Sequence, residues 1–271
     1  MSSINLKIFA VAAIVMILFW GASAEAEESV RNTPVVKVMK EWAGSVVNIS
    51  TEKVVILQFD PTWQQYRNLF GGQMPNENAA PPVGTLKLKG LGSGVIVSKD
   101  GLIVTNAHVI EMASKVYCVL NDGTSFEAQV VATDKKNDLA LVKIGPDREL
   151  KPIEFADDAM LGETVISIGN PFGLENSVSA GIISGFNRRF YATGSDQPLF
   201  DNLIQTDASI NQGSSGGALL NLEGKLVGID LAVMQNAQNV GFAIPNNRIR
   251  VLLKEYENYK RRGTTVRLPV Q

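Results

Sequence analysis

The chain has 271 residues, of which 45% are hydrophobic and 19% charged, with a formal net charge of −2. That is room for one large domain or two small cores, and the scattered basic residues leave no footprint for nucleic acid. A single cysteine, Cys118, excludes an intramolecular disulfide, and with no Cys-x-x-Cys pair or His/Cys cluster neither a metal site nor another cofactor is expected.

Residues 1–24 read as an export signal. Lys7 lies in a short leading segment, the apolar run Ile8–Trp20 is 13 residues long, and small residues allow cleavage after Ala24 or Ala26. The run is short for a membrane span of about 20 residues; an uncleaved anchor is the alternative. Residues 25–45 form an N-terminal segment. In it Val35, Val38, Met39 and Trp42 recur at helical spacing after Pro34, which suits a first helical position, and a strand follows. From Asp60 to Thr85 the chain is rich in Gly, Pro, Asn and Gln, without a period. A loop of that length inside a compact domain is usually functional or disordered, and Trp63, Tyr66 and Phe70 give it something to pack.

From Gly92 onward short strands follow one another (SGVIVS, GLIVTNAHVI, KVYCVLN, EAQVVATD, LALVKI), with KDG and NDG as turns. Cys118 falls in this set as a buried strand residue. A polar connector, Gly145–Asp158, separates them from a second set (TVISIGN, SVSAGIISGF, NLIQTDA, GALLN, KLVGIDLAV, VGFAIP). Two groups of about six strands predict an all-β fold of two antiparallel barrels, residues 46–145 and 158–245. Ile249, Leu252, Leu253 and Tyr256 then mark one apolar face of a terminal helix within the closing segment, 246–271.

The stretch DASINQGSSGGALLN holds the pattern Gly-x-Ser-x-Gly, centred on Ser215. A serine nucleophile needs a base, and the only histidine, His108, precedes it. The order Ser–acid–His therefore fails, which also argues against a carboxylesterase. An Asp–His–Ser order would need Asp60 or Asp100 on a parallel scaffold foreign to this pattern. There remains His108 in TNAHVI, Asp138 in KKNDLALVKI and Ser215: two residues on one barrel and the third on the other, with the site between them. Ser215 Oγ would attack an acyl carbon, His108 would accept its proton, and Asp138 would orient the imidazole. The glycines would let the N–H groups of Gly213 and Ser215, with Ser214 close by, converge on the oxyanion.

The segments TNAHVI, DLALVKI, GNPFGLENSVSAGIISG, IQTDASINQGSSGGALLNLEGKLVGI and VGFAIP, in this order, resemble the high-temperature-requirement (HtrA/Deg) family of chymotrypsin-fold serine proteases, over about Val35 to Pro245. The resemblance implies a periplasmic or secreted endoprotease of envelope quality control. It would cleave unfolded or mislocalised proteins without ATP, usually as a homotrimer. The loop from Asp60 to Thr85 resembles the family's regulatory loop, and Arg188 in SGFNRRF matches the arginine of its sensor loop. Two positions depart from the family pattern: Ser214 stands where Asn is usual and Ala218 where Pro is usual. The chain runs only to Gln271, so no C-terminal PDZ domain is expected. Ser209, Ile229 and Leu231 are the expected pocket lining, suited to small or medium aliphatic side chains, while strand alternation turns Asp230 away from the pocket. The alternative function is a proteolytically silent holdase that binds unfolded segments in the same cleft.

Overall fold

A computed structural model of the chain describes residues 30–57, 84–170, 176–191, 196–211, 213–233 and 239–262. The export-signal segment, nearly all of the 60–85 loop and most of GNPFGL lie outside the described residues.

Helix α1, Pro34–Trp42, opens with Thr33, whose Oγ1 accepts the Val36 N–H at 3.4 Å, and with proline at its first position. It buries Val38 and packs Val35, Met39 and Trp42 on the core, the face that its spacing predicts. Six strands follow: β1 (Val46–Leu57), β2 (Gly84–Ile96), β3 (Leu102–Thr105), β4 (Lys115–Val119), β5 (Ser125–Asp134) and β6 (Leu139–Lys143). The single-turn helix α2, Ala107–Ile110, separates β3 from β4. The second set is β7 (Thr164–Gly169), β8 (Ser177–Tyr191), β9 (Pro198–Thr206), β10 (Ala218–Asn221), β11 (Leu226–Val233) and β12 (Gly241–Pro245), followed by helix α3, Asn246–Arg261.

Each set closes into an antiparallel barrel, in the orders β1-β2-β3-β6-β5-β4 and β10-β11-β12-β9-β8-β7. The turns read from sequence close hairpins. In the NDG turn, Leu120 N–H donates to Thr124 O at 2.9 Å and Asp122 Oδ1 takes the Thr124 N–H at 2.9 Å.

Burial has three centres. Ile49, Ile103, Cys118, Ala140 and Val142 fill the first barrel, and Val165, Ile183, Leu219, Val227 and Ala243 fill the second. The third centre is the seam between them. Val95, Val104, Leu139 and Leu141 meet Ile166, Ile168, Ala218, Leu220, Ile229 and Leu231 there, and Val38 of α1 with Ile249 and Leu252 of α3 belong to the same cluster. Strands with one face in a barrel and the other in the seam are buried on both, so β3, β6 and β10 read as continuous apolar runs. Fully buried Cys118 has its thiol pushed up to about 12 by burial, which removes it from thiolate chemistry.

The polar connector between the barrels is stapled to both. Ile153 N–H donates to Ile96 O at 3.0 Å, Leu226 N–H to Glu154 O at 2.7 Å, and Ala156 N–H to Leu226 O at 3.0 Å. Helix α3 leaves the second barrel and lies against β5 of the first as well as β11.

Candidate active site

His108 stands on α2, directly after β3. Asn106, extended at φ −77°, starts the turn, and its Nδ2 donates to Asp138 O at 3.1 Å; Ala107 N–H reaches the same oxygen at 3.1 Å. Asp138 closes the turn before β6 in the left-handed region, φ +52°. A short polar side chain tolerates that conformation better than most residues do. The residue is 4% exposed, and both of its carboxylate oxygens are committed to one residue. Oδ1 accepts His108 N–H at 2.8 Å, and Oδ2 meets His108 Nδ1 at 2.6 Å. With Nδ1–H donated to the carboxylate, the neutral ring carries its lone pair on Nε2. The imidazole is 46% exposed.

Ser215 belongs to the turn before β10. Gly213 (φ +90°) and Gly216 (φ +85°) are both left-handed. A Cβ at Gly216 would also run into Ser93 O and Thr105 Oγ1, so glycine is required there for two reasons. First-barrel atoms hold this second-barrel turn. Ser93 N–H donates to Ser215 O at 2.8 Å, and Ser93 Oγ donates to Gly213 O at 2.8 Å while accepting Asn170 N–H at 2.8 Å. Thr105 Oγ1 in turn donates to Ser93 O at 2.7 Å. From the other side β11 grips it: Gly216 N–H donates to Asp230 O at 2.9 Å and Asp230 N–H to Gly217 O at 3.0 Å. The Ser215 hydroxyl donates to Leu231 O at 3.1 Å. A hydroxyl has a single proton, so this bond and one to His108 exclude each other.

Two expectations need correction. Ser214, grouped with the oxyanion donors, has its N–H committed to Asn211 O at 2.9 Å, because the turn closes on itself there. Of the expected donors this leaves Gly213 and Ser215. Ile229 and Leu231, expected in the pocket lining, are 0% and 2% exposed and belong to the seam. Strand β11 presents the Leu231 carbonyl to the site rather than these side chains. Asp230, which alternation turns away, does not reach solvent: it is 0% exposed, because β11 is buried on both faces. Ser209 is exposed, and its carbonyl accepts from Ser179 Oγ at 2.8 Å. Arg188 is exposed on β8, with its Nε donating to Gln205 Oε1 on β9 at 2.9 Å, a pairing that does not include the His108–Asp138–Ser215 group.

Sequence reasoning passed over Ser93 and Asn106, and it weighed Asp230 only as a possible pocket residue. Ser93 lies between two glycines at the head of an apolar strand, a sign of close backbone approach. Asn106 directly precedes a helical turn, and Asp230 is a lone acid in an apolar strand. No group of three or more His, Cys, Asp or Glu among the described residues could hold a metal ion. A surface cleft of about 440 Å³ runs along β4 and β5, lined by Lys115, Glu127 and Thr133 among others, and contains none of the site residues.

Two closed barrels with a histidine and aspartate on one and a glycine-bound serine on the other define the trypsin-like peptidase class, and residues 92–229 match the trypsin-like peptidase domain family. The chain is 40% identical over 198 residues to the periplasmic pH-dependent serine endoprotease DegQ of Escherichia coli, covering 71% of this chain and 41% of DegQ. It is 40% identical over 213 residues to the putative serine protease HhoA of Synechocystis, covering 77% and 52%. A solved HtrA-type protease, an AlgW variant with a decapeptide, superposes with a TM-score of 0.67 at 31% identity, covering 86% of this chain and 68% of that one. The chain belongs to the HtrA/Deg family of trypsin-like serine proteases. It spans about half the length, or less, of the curated relatives it matches.

Proposed function

We propose that the chain is a serine endopeptidase whose nucleophile is Ser215, with His108 as general base and Asp138 as the group that orients it. The observation that carries this is the double hold of Asp138 on His108, through the backbone N–H at 2.8 Å and Nδ1 at 2.6 Å. It fixes the tautomer that a base facing Ser215 needs. In the first step the Ser215 side chain turns about its Cα–Cβ bond from Leu231 O to His108 Nε2. Oγ then attacks the scissile carbonyl as its proton passes to Nε2, and the oxyanion forms against the N–H groups of Gly213 and Ser215. His108 returns the proton to the leaving amine, and water repeats the cycle on the acyl-enzyme. Leu231 O, freed by that rotation, can accept an N–H from an extended substrate laid beside β11.

The relatives' names support a periplasmic site of action; removal of residues 1–24 is read from the sequence, and unfolded protein or peptide substrates, a homotrimer, and regulation by the 60–85 loop and Arg188 rest on the family resemblance. The alternative is a proteolytically silent holdase, in which the same cleft would bind unfolded segments while the loops keep the triad misaligned. The test is degradation of an unfolded casein, together with labelling by a fluorophosphonate probe. Ser215→Ala should abolish labelling and lower kcat by about 10⁶, as in triad knockouts elsewhere, while Ser214→Ala keeps most of the activity. Labelling of Ser214, or casein degradation that survives Ser215→Ala, would overturn the assignment.

A further inference from the structure

Among the described residues the seam and the triad leave one buried carboxyl unused. Asp230 is 0% exposed, in the middle of β11. Its carboxyl reaches past β10, where Ser167 Oγ of β7 donates to Oδ2 at 2.6 Å; Oδ1 is buried without a hydrogen-bond partner. The backbone of the same residue makes both bonds that tie β11 to the turn, to Gly216 N–H at 2.9 Å and to Gly217 O at 3.0 Å, immediately after the nucleophile. The next carbonyl, Leu231 O, receives the Ser215 hydroxyl. One step further on, the pairing of β11 with β12 slips, between Asp230 and Ala232. A slip of this kind locally disrupts the ladder.

We propose that Asp230 is a positioning residue for Ser215: as a neutral acid it seats β11 against the Gly216–Gly217 turn, and when it ionises the turn loosens and the nucleophile loses its alignment. This rests on the reading of Ser215 as the nucleophile. Ser167 of β7 bonds the carboxyl, Leu219 of β10 pairs with Ser167, and Ala243 of β12 pairs with Asp230; none of these is charged, and no charged group acts on the carboxyl. His108 and Asp138 belong to the other barrel. An anion here has one donor and no counter-charge, a costly state in an apolar interior. Burial accordingly pushes the carboxyl up to about 7, opposed by the Ser167 hydroxyl, which favours the charged form. Ionisation therefore falls within the working range of a peptidase.

The experiment follows the rate of fluorophosphonate labelling of Ser215, with kcat and KM on a peptide, from acid to alkaline pH. Four proteins are compared: the native chain, Asp230→Asn, Asp230→Ala and Ser167→Ala. In the native chain labelling and kcat should fall on the alkaline side, by up to about tenfold per pH unit beyond the limb. Asp230→Asn, the isostere of the neutral acid, should lose that fall, whereas Asp230→Ala should be slow at every pH. Ser167→Ala removes the group that favours the charged form, so the limb should move to higher pH. An alkaline fall that Asp230→Asn leaves unchanged, or a native profile with no such fall, overturns the proposal while leaving the peptidase reading intact. Failure to label Ser215 at any pH overturns that reading, and this inference with it. If Asp230→Asn does not fold, the carboxyl carbon resonance of Asp230, identified by its displacement in Ser167→Ala, decides the matter in the native chain. Titration near neutrality supports the proposal, and titration in the ordinary carboxylate range refutes it.

Discussion

Replacing Ser93 by alanine removes a hydroxyl that lies far from the reacting atoms in sequence yet holds the nucleophile turn. Ser93 is 0% exposed, and its Oγ makes two bonds, donating to Gly213 O and accepting from Asn170 N–H, each at 2.8 Å. A buried neutral hydrogen bond contributes about 1 kcal/mol net, and a group left without its partner costs about 1–3 kcal/mol. Two such losses sum to roughly 2–6 kcal/mol of stability, with little cavity cost because only one oxygen is removed. Not all of that reaches catalysis, since Ser93 N–H still holds Ser215 O. Gly213, an expected oxyanion donor, loses its anchor directly, so kcat/KM should fall by about 10–100-fold, equivalent to about 1.4–2.8 kcal/mol of transition-state stabilisation. Urea unfolding gives the first quantity and peptide hydrolysis the second, with the loss expected in kcat rather than KM. Thr105→Val removes only the bond to Ser93 O and should cost about 1 kcal/mol. A Ser93→Ala enzyme with an unchanged urea midpoint and full kcat would refute this account of how the barrels are joined at the site.

Three other outcomes follow from the same geometry. Asp138→Asn keeps the shape but offers a donor where Nδ1–H needs an acceptor; kcat should fall by about 10⁴, the size seen for this exchange in another triad, with little change in the urea midpoint. Gly216→Ala forces a side chain into a left-handed backbone and into Ser93 O, so it should destabilise the chain by at least about 2 kcal/mol; calorimetry tests this, and an unshifted Tm refutes it. Asp230 sets a stability trend with pH. Its pKa rises from the ordinary 3.8 to about 7 on folding, so between those values the native state binds the proton that the unfolded chain releases. This contribution is full below about pH 3.8, declines as pH rises through that window, and levels off above about 7. Urea midpoints measured across the window should show a decline that is absent in Asp230→Asn.

Much of the architecture can be read along the chain. The apolar spacing of α1 and α3, the NDG turn, and two runs of six short strands all depend on residues close in sequence. The order of His108, Asp138 and Ser215 can also be read along the chain, and with a lone histidine it points to one known type of triad. The pocket residues were read less well, because alternation assumes a strand with one wet face. Ile229, Asp230 and Leu231 are all buried, since β11 has a barrel on one side and the seam or the nucleophile turn on the other.

Residue types and their local spacing were enough to determine a two-barrel, all-β chain with one possible general base, because periodicity and turn chemistry act over a few residues. Only the tertiary structure decided which N–H groups the nucleophile turn keeps for itself, that Ser93 grips Gly213 across 120 positions of sequence, and that Asp230 ends in an apolar interior with one hydroxyl for company. Those outcomes depend on closing each barrel and pressing the two together. A side chain's partner then comes from another strand or another barrel, and no local pattern in the sequence names it.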